Sequence, residues 1–316
     1  MLRYAARRCA AMPLLLAASS FVIFTLLYLT PGDPLRALFG SHQVSSSTVA
    51  ALRARYHLDE PFLGQYLRWV GQVLHGDLGQ SIVHQQSVSS IVAPRIVPTI
   101  ELAGLALAEI LLFGVGLGVL AAVRHGRIGD RLASGATLAL SAVPAFISSL
   151  VLIAVFAVDL GWFPAIGLGG SGLDRLRHLI LPSVALACAS LALVARSTRA
   201  GMVQALSCDF IDTLRSRGVG SRRIVLKHAL RHALLPVATV TGLVAGYLVS
   251  GAVIVESAFG LNGIGAQLIY GVEEKDFAVV QAIALLMVLA FLAINLLVDL
   301  LYGVIDPRVR RGGSGA

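Results

Sequence analysis

Four carboxylates stand out for where they sit. Glu101, Glu109 and Asp299 lie within apolar runs, and Glu256 closes another. A carboxyl group in apolar surroundings is costly unless it is paired or hydrogen-bonded, so each is a candidate for a functional path or an interhelix tie. Glu101 falls near one edge of its run, within reach of water. Asp299 falls near the opposite edge, where a basic residue can meet it. Glu109 lies deepest and reads either as a pathway or interhelix group or as a packed structural hydrogen bond. His228 and His232 are four residues apart, a spacing metal ligands use, but no third ligand and no H-E-x-x-H accompany them. Ser, His and Asp occur without a G-x-S-x-G elbow. The two lysines, Lys227 and Lys275, stand in no G-x-x-x-x-G-K-[ST] phosphate loop. Cys9, Cys188 and Cys208 form no C-x-x-C pair. The sequence therefore offers no catalytic residues, no metal ligands and no cofactor site.

The elements that must hold these residues are set by composition. The chain of 316 residues is 57% hydrophobic and 13% charged, with mean hydropathy +0.82. Soluble domains carry about 25% charge. Lipid is the natural solvent for so apolar an exterior, and the length allows several spans of about 20 residues. Six apolar segments are visible, near 9–30, 99–123, 132–158, 178–195, 236–257 and 278–303. The first reads as an uncleaved span, since no A-x-A site precedes Pro31. The fourth is short, and the stems of Arg196 and Arg199 just beyond it can snorkel to the interface. Glycines 114, 116 and 118, and the Gly242/Gly246 pair, read as sites of close helix packing.

Charge orients the spans. Loops 1–8, 124–131, 196–235 and 304–316 hold 17 of the 25 Lys/Arg, against 8 in loops 31–98, 159–177 and 258–277. The positive-inside rule then places both termini in the cytoplasm. The same asymmetry accounts for the net charge of +8, and no nucleic-acid-binding module appears. The long outer loop opens with Pro31-Gly32-Asp33-Pro34, which no helix continues through. Ser45 to Thr48 precede a helix start at Val49, and Tyr66 to Val70 suggest a second short helix suited to the interface.

The longest inner loop holds the most informative stretch, DFIDTLRSRGVGSRRIVLKHALRHALLP, from Asp209 to Pro236. Ser207 is positioned to cap a helix with Asp209 and Asp212 in its first turn. Phe210, Ile211 and Leu214 fall on one apolar stripe, Thr213 beside them. Arg215 and Arg217 close the helix, and Gly218 follows where a positive φ is needed. Ser221 then caps a second helix carrying Arg222, Arg223, Lys227 and Arg231, which Pro236 ends or kinks. An exposed apolar stripe of this kind fits either a protein partner or a lipid-headgroup surface.

The stretch resembles the cytoplasmic "EAA" loop of ABC importer permeases, of the dipeptide/oligopeptide/nickel family, B-type. That loop reads D-Y-x-x-T-A-R-A-K-G-x-x-x-R, then H-A-L-R-N-A-L-x-P. Asp209, Thr213, Arg215, Gly218, Arg222, His228, Ala229, Leu230, Arg231, Ala233, Leu234 and Pro236 fall on it. The segments from Leu29 to Pro34, Leu58 to Tyr66, Gly76 to Gly79, Val255 to Gly265 and Tyr302 to Arg310 resemble the family's other motifs, so the likeness covers nearly the whole chain. Leu214 stands where an alanine is usual, Asn262 where proline is common, and His232 where asparagine is frequent.

The resemblance implies an all-α polytopic membrane protein of about six transmembrane helices, with the type I ABC importer transmembrane fold. It implies a first helix at 1–30, an extracytoplasmic region with short helices at 31–94, a transmembrane domain of five helices at 95–306 holding the loop 207–236, and a cytoplasmic tail at 307–316. It further implies a permease in the bacterial inner membrane, carrying di- or oligopeptides or another solute such as a nickel complex, glutathione or haem. The expected partners are a second, different permease subunit, two cytoplasmic ATPases that hold ATP and Mg, and an extracytoplasmic solute-binding protein. Asp209, Phe210, Ile211, Thr213, Leu214, Arg215, Arg217, Gly218, Ser221 and Arg222 are then expected to form an ATPase-coupling helix. Glu109, Glu256 and Phe259 are the candidates for pathway or gate. An ion-gradient transporter is the competing reading; it favours an inverted repeat, and none is visible.

Overall fold

A computed structural model describes residues 2–29 and 59–305, the side chains of residues 2–9, Leu235, Asp299 and residues 301–305 excepted. The motif at 30–34, the helix expected from Val49 and the C-terminal motif beyond residue 305 lie outside the described residues, as does the Asp299 side chain.

Apolar runs become helices because lipid leaves every backbone N–H and C=O to be satisfied within the segment. Ten helices follow. Helix α1 (Leu2–Leu29) is followed by the amphipathic α2 (Phe62–Leu74). Helix α3 (Val88–Val123) is long and contains a π turn at Ile110–Gly114. Helices α4 (Ile128–Ala142) and α5 (Ala145–Asp159, its last seven residues a π turn) meet at a 99° bend. Helix α6 (Leu173–Leu206) precedes the short α7 (Asp209–Ser216). One turn at Ser221–Arg223 and a π turn at Ile224–Ala229 then run without a break into α8 (Leu230–Ala258). Helices α9 (Ile264–Glu273) and α10 (Phe277–Ile305) complete the described residues. Among the described residues five helices are long and apolar enough to span a membrane, and a sixth span results if the bent α4–α5 pair is one crossing.

Several expectations from the sequence change here. The run 132–158 is not one straight helix. Pro144 disfavours a helical Val143, which adopts an extended conformation, and the chain turns there. The fourth span is not short, because the polar residues beyond 178–195 stay helical. Helix α3 starts at Val88 rather than near residue 99; the Ser87 hydroxyl accepts from the Ser90 N–H at 3.3 Å and caps it. Helix α8 passes through Pro236 without ending.

Small residues let the central helices approach. A Cβ on Gly114 or Gly118 would press on Val194, or on Thr198 and the Ala195 carbonyl, of α6. Gly116 faces open space, so of the glycines at 114, 116 and 118 two serve packing. Gly242 and Gly246 make room for Val298 and Phe291 of α10. The largest core cluster joins α3, α6 and α8 through Leu102, Ile110, Leu186, Val194, Val244 and Leu248.

Helix α2 lies against α1 rather than standing alone. Phe62, Tyr66 and Trp69 meet Phe21, Phe24 and Tyr28 in edge-on and tilted ring pairs with centroids 5.0–5.9 Å apart. Such pairs add about 0.5–1.5 kcal/mol each beyond area burial.

Candidate functional site

Helices α3, α8, α9 and α10 enclose an open groove of about 1600 Å³. Its wall is mostly aliphatic, with Ala103, Leu107, Ala245, Val249, Met287 and Ala290 among the lining residues. Polar groups are few and segregated. Thr99 marks one end. Thr241, whose buried hydroxyl has no partner among the described residues, lies partway along α8. Lys227, His228, Arg231 and His232 mark the other end, at the start of α8. Such a surface can let a solute pass or receive another helical surface.

At the Thr99 end a buried carboxylate joins three helices. Glu256, fully buried on the last turns of α8, accepts a hydrogen bond from the Thr99 hydroxyl at 2.6 Å and from the Ala266 N–H at 3.1 Å. The Thr99 oxygen accepts in turn from the Ile264 N–H at 2.9 Å. Both donors of α9 lie in its first turn, where N–H groups have no intrahelical acceptor. Gly263 and Gly265 are needed for this approach. A Cβ on either would collide with the Glu256 carboxylate, and at Gly265 with the backbone of Val253 too. Phe259, also fully buried, sits at the C-terminal end of α8, where its carbonyl accepts from the Gly167 N–H at 2.9 Å. Neither Glu256 nor Phe259 lines the groove. Thr99, Ile264 and Gly265, which Glu256 ties together, do.

Glu109 is turned from the groove toward α6. The Ser183 hydroxyl donates to its Oε1 at 2.8 Å, while Oε2 is buried with no described partner. Glu101 does not simply reach water. It pairs with Arg175 at 2.5 Å and so ties α3 to the start of α6. Arg199 does not snorkel away; it grips Asp130 of α4 with two hydrogen bonds of 2.6 and 2.7 Å. Asp130 is also held by the Gly126 N–H at 3.0 Å and lies 3.3 Å from His125. Arg196 donates to the Ala192 carbonyl within α6. On the opposite end of the bundle, the Ser81 hydroxyl donates to the buried Asp276 carboxylate, and His84 meets Glu274 at 3.1 Å. Burial pushes the Asp276 carboxyl up, the Ser81 and Val279 hydrogen bonds offsetting part of that rise.

Helix α7 hangs at the basic end of the groove, between α6 and α8. Its acidic first turn holds Asp209 and Asp212, and Arg215 reaches back to Asp212 at 2.9 Å. Gly218 takes φ +74°, as the turn requires. Ser207 and Ser221 are not the caps expected of them. Ser207 ends α6, Cys208 and Gly220 occupy the cap positions, and neither makes a side-chain cap bond. Ser221 is instead the first residue of its turn. The apolar stripe divides. Ile211 is fully buried, Phe210 and Leu214 are half-buried, and Thr213, Arg215, Arg217 and Arg222 are exposed. The Phe210 ring packs on the His232 imidazole, centroids 5.0 Å apart and 40° between planes. Among the described residues no group of three or more His, Cys, Asp or Glu could hold a metal ion.

The Thr99–Glu256 tie, the Asp130–Arg199 pair and the α1–α2 ring cluster escaped sequence reading. Their members lie far apart in the chain, and only the interfacial Tyr and Trp of α2 gave a local signal.

Among the described residues, an all-helical bundle with five or six apolar spans, an apolar groove and a short helix hung between two long ones has the build of a polytopic membrane protein. The chain belongs to the family of binding-protein-dependent transport system inner membrane components, which it matches over residues 114–311, with that family's N-terminal component matched over residues 1–103. The glutathione transport system permease protein GsiC of Salmonella paratyphi A is 39% identical over 312 residues, covering 98% of this chain and 99% of the relative. GsiC of Escherichia coli (strain K12) is 38% identical over the same length and coverage. Among solved structures, a chain of the methionine ABC transporter MetNI in inward facing conformations superposes with TM-score 0.57 at 20% identity, covering 68% of this chain and 96% of that one. The fold is that of a type I ABC importer transmembrane domain. The chain is accordingly a multi-pass inner-membrane permease of an ABC importer, a family that works with ATPase and binding-protein partners.

Proposed function

We propose that the groove is one half of a translocation pathway for di- or oligopeptides, completed by a second, different permease subunit, and that α7 is the helix on which one of two cytoplasmic ATPases pushes. ATP and Mg then reside on those ATPases, and both termini face the cytoplasm, as the Lys/Arg distribution favours. The observation that carries this reading is the apolar groove of about 1600 Å³ lined by α3, α8, α9 and α10. A single subunit leaves that face without a cover, and a pseudo-symmetric partner closes it.

The peptide assignment draws on the groove's character. Aliphatic walls accept varied side chains, while the isolated Thr241 hydroxyl and the basic end can meet backbone and carboxylate groups. Glutathione, the solute in the names of the GsiC relatives, is a small peptide of the same chemistry. The domain limits expected above, with a first transmembrane helix at 1–30 and a five-helix domain around the loop 207–236, fit the same assembly.

The test is uptake by proteoliposomes holding this chain, its partner permease and ATPases, with the cognate binding protein outside. Labelled dipeptides, an oligopeptide and glutathione are compared with a nickel complex and haem. ATP-dependent uptake of a peptide is expected. Uptake by the purified chain alone, or driven by an ion gradient without ATPase subunits, refutes the importer assembly. Uptake of only a non-peptide solute overturns the cargo assignment and leaves the machinery standing.

A further inference from the structure

Every hydrogen bond and ion pair of α7 among the described residues stays within residues 204–219, so among them no polar tie fastens its side chains to the membrane helices. Its apolar contacts with the bundle include Ile211, fully buried, the half-buried Leu214, and the ring of Phe210 packed on His232. His232 differs from Ile211's surroundings in one respect that decides its role. It also lines the groove, beside Arg231 and His228, at the basic end. One imidazole therefore touches the hanging helix on one side and the groove space on the other.

The backbone around it favours movement of this contact as a unit. A π turn at Ile224–Ala229 precedes it, an irregularity found where helices are strained or functional. Beyond it, Gly201 of α6 lets α8 approach closely, since a Cβ there would touch Ala233 and Pro236 at 3.1–3.3 Å. The first turns of α8 are thus held against α6 at Ala233 and Pro236 and irregular just before. Phe210 and His232 each have only two side-chain torsions and move as planar plates. A displacement of α7 along its contact is passed on with little slack, where a flexible chain would absorb it.

We infer that His232 is the positioning residue through which α7 moves the groove wall of α8, the Phe210–His232 ring contact being the transmission element. The inference rests on the importer reading and names the side chains that carry its stroke. It requires the ring of His232 rather than its charge.

The test uses the whole complex, this chain with its partner permease and ATPases, in nanodiscs. Ala245→Cys places a thiol on the groove wall, and a hydrophilic maleimide labels it. Peptide mass spectrometry at residue 245 reads the labelling rate with and without ATP plus vanadate, so no knowledge of the cargo is needed. With His232 present, trapping the ATPases changes the rate. His232→Ala is expected to shrink that change about fivefold, the scale of one aromatic pair, with the ATPases still bound at full stoichiometry. His232→Phe keeps the ring and is expected to restore it. Phe210→Ala is expected to match His232→Ala, and the double variant to be no worse than either. A full response in His232→Ala, or no restoration by His232→Phe, overturns the relay while the importer reading stands. No nucleotide response with His232 in place removes both.

Discussion

Replacing Glu256 tests the three-helix tie with a magnitude worked from its geometry. The carboxylate uses both oxygens: Oε1 accepts from Thr99 and Oε2 from the Ala266 N–H. Glu256→Gln keeps size and shape but offers only one acceptor for these two donors. One buried donor is then unsatisfied, at a cost of about 1–3 kcal/mol. Glu256→Ala leaves both donors without an acceptor and opens a void where the carboxyl stood. The two unmet donors and the lost packing together come to about 3–6 kcal/mol. Thr99 can turn its hydroxyl elsewhere and recover part of this, so the lower half of each range is the better guide. The assay is equilibrium unfolding in mixed micelles with rising SDS, followed by tryptophan fluorescence of Trp69 and Trp162. The expected order is parent, then Gln, then Ala, with Ala at least twice as damaging as Gln. If Gln equals the parent, or Ala loses less than about 1 kcal/mol, the tie does not hold α9 as described.

Three further outcomes follow from other parts of the molecule. Gly116→Ala faces open space and is expected to be neutral or to gain up to about 1 kcal/mol of helix propensity, whereas Gly118→Ala meets Thr198 and the Ala195 carbonyl and is expected to lose about 1–3 kcal/mol; the same SDS titration separates them. Asp276 binds its proton more tightly folded than unfolded, so its contribution to stability is fully present below the ordinary carboxylate value of about 3.9 and is lost as pH rises through the higher folded value. Asp276→Asn is therefore expected to flatten that part of the Tm-against-pH curve, and an unchanged curve counts against the burial argument. Leu214→Asp on α7 is expected to weaken retention of the ATPase on an affinity column by about 30-fold, the equivalent of ~2 kcal/mol for an apolar anchor, and intact assembly with normal transport excludes α7 as the docking helix.

How much was legible beforehand depends on whether the signal was local. Apolar runs announced the spans because each must cross lipid on its own. The turn at Gly218 was visible because only its neighbourhood decides it. The break at Pro144 was present in the sequence, but the apolar run on both sides hid it. The early start of α3 was obscured by Ser89, Ser90, Pro94 and Arg95, polar or helix-disfavouring residues that the Ser87 cap and buried Val88 nonetheless carry into the helix. The stripe on α7 was correctly placed by period, yet periodicity cannot say that Ile211 faces the chain's own bundle while Phe210 meets a histidine. Glu256 was singled out, but its partner Thr99 is 157 positions away and has no sequence signature. The π turns were invisible, since i→i+5 bonding arises from how neighbouring helices constrain both ends.

The π turn ahead of α8 bears on how such chains diverge. A turn of this type stores one surplus residue inside an otherwise regular rod. Deleting a single position among 224–229 would restore ordinary winding while Ala233, Val237 and Val244 keep facing the same neighbours. Lineages can therefore trim or lengthen the link between the hanging helix and the groove by one residue without scrambling the membrane interior, and the distance over which the two are joined becomes an inheritable variable.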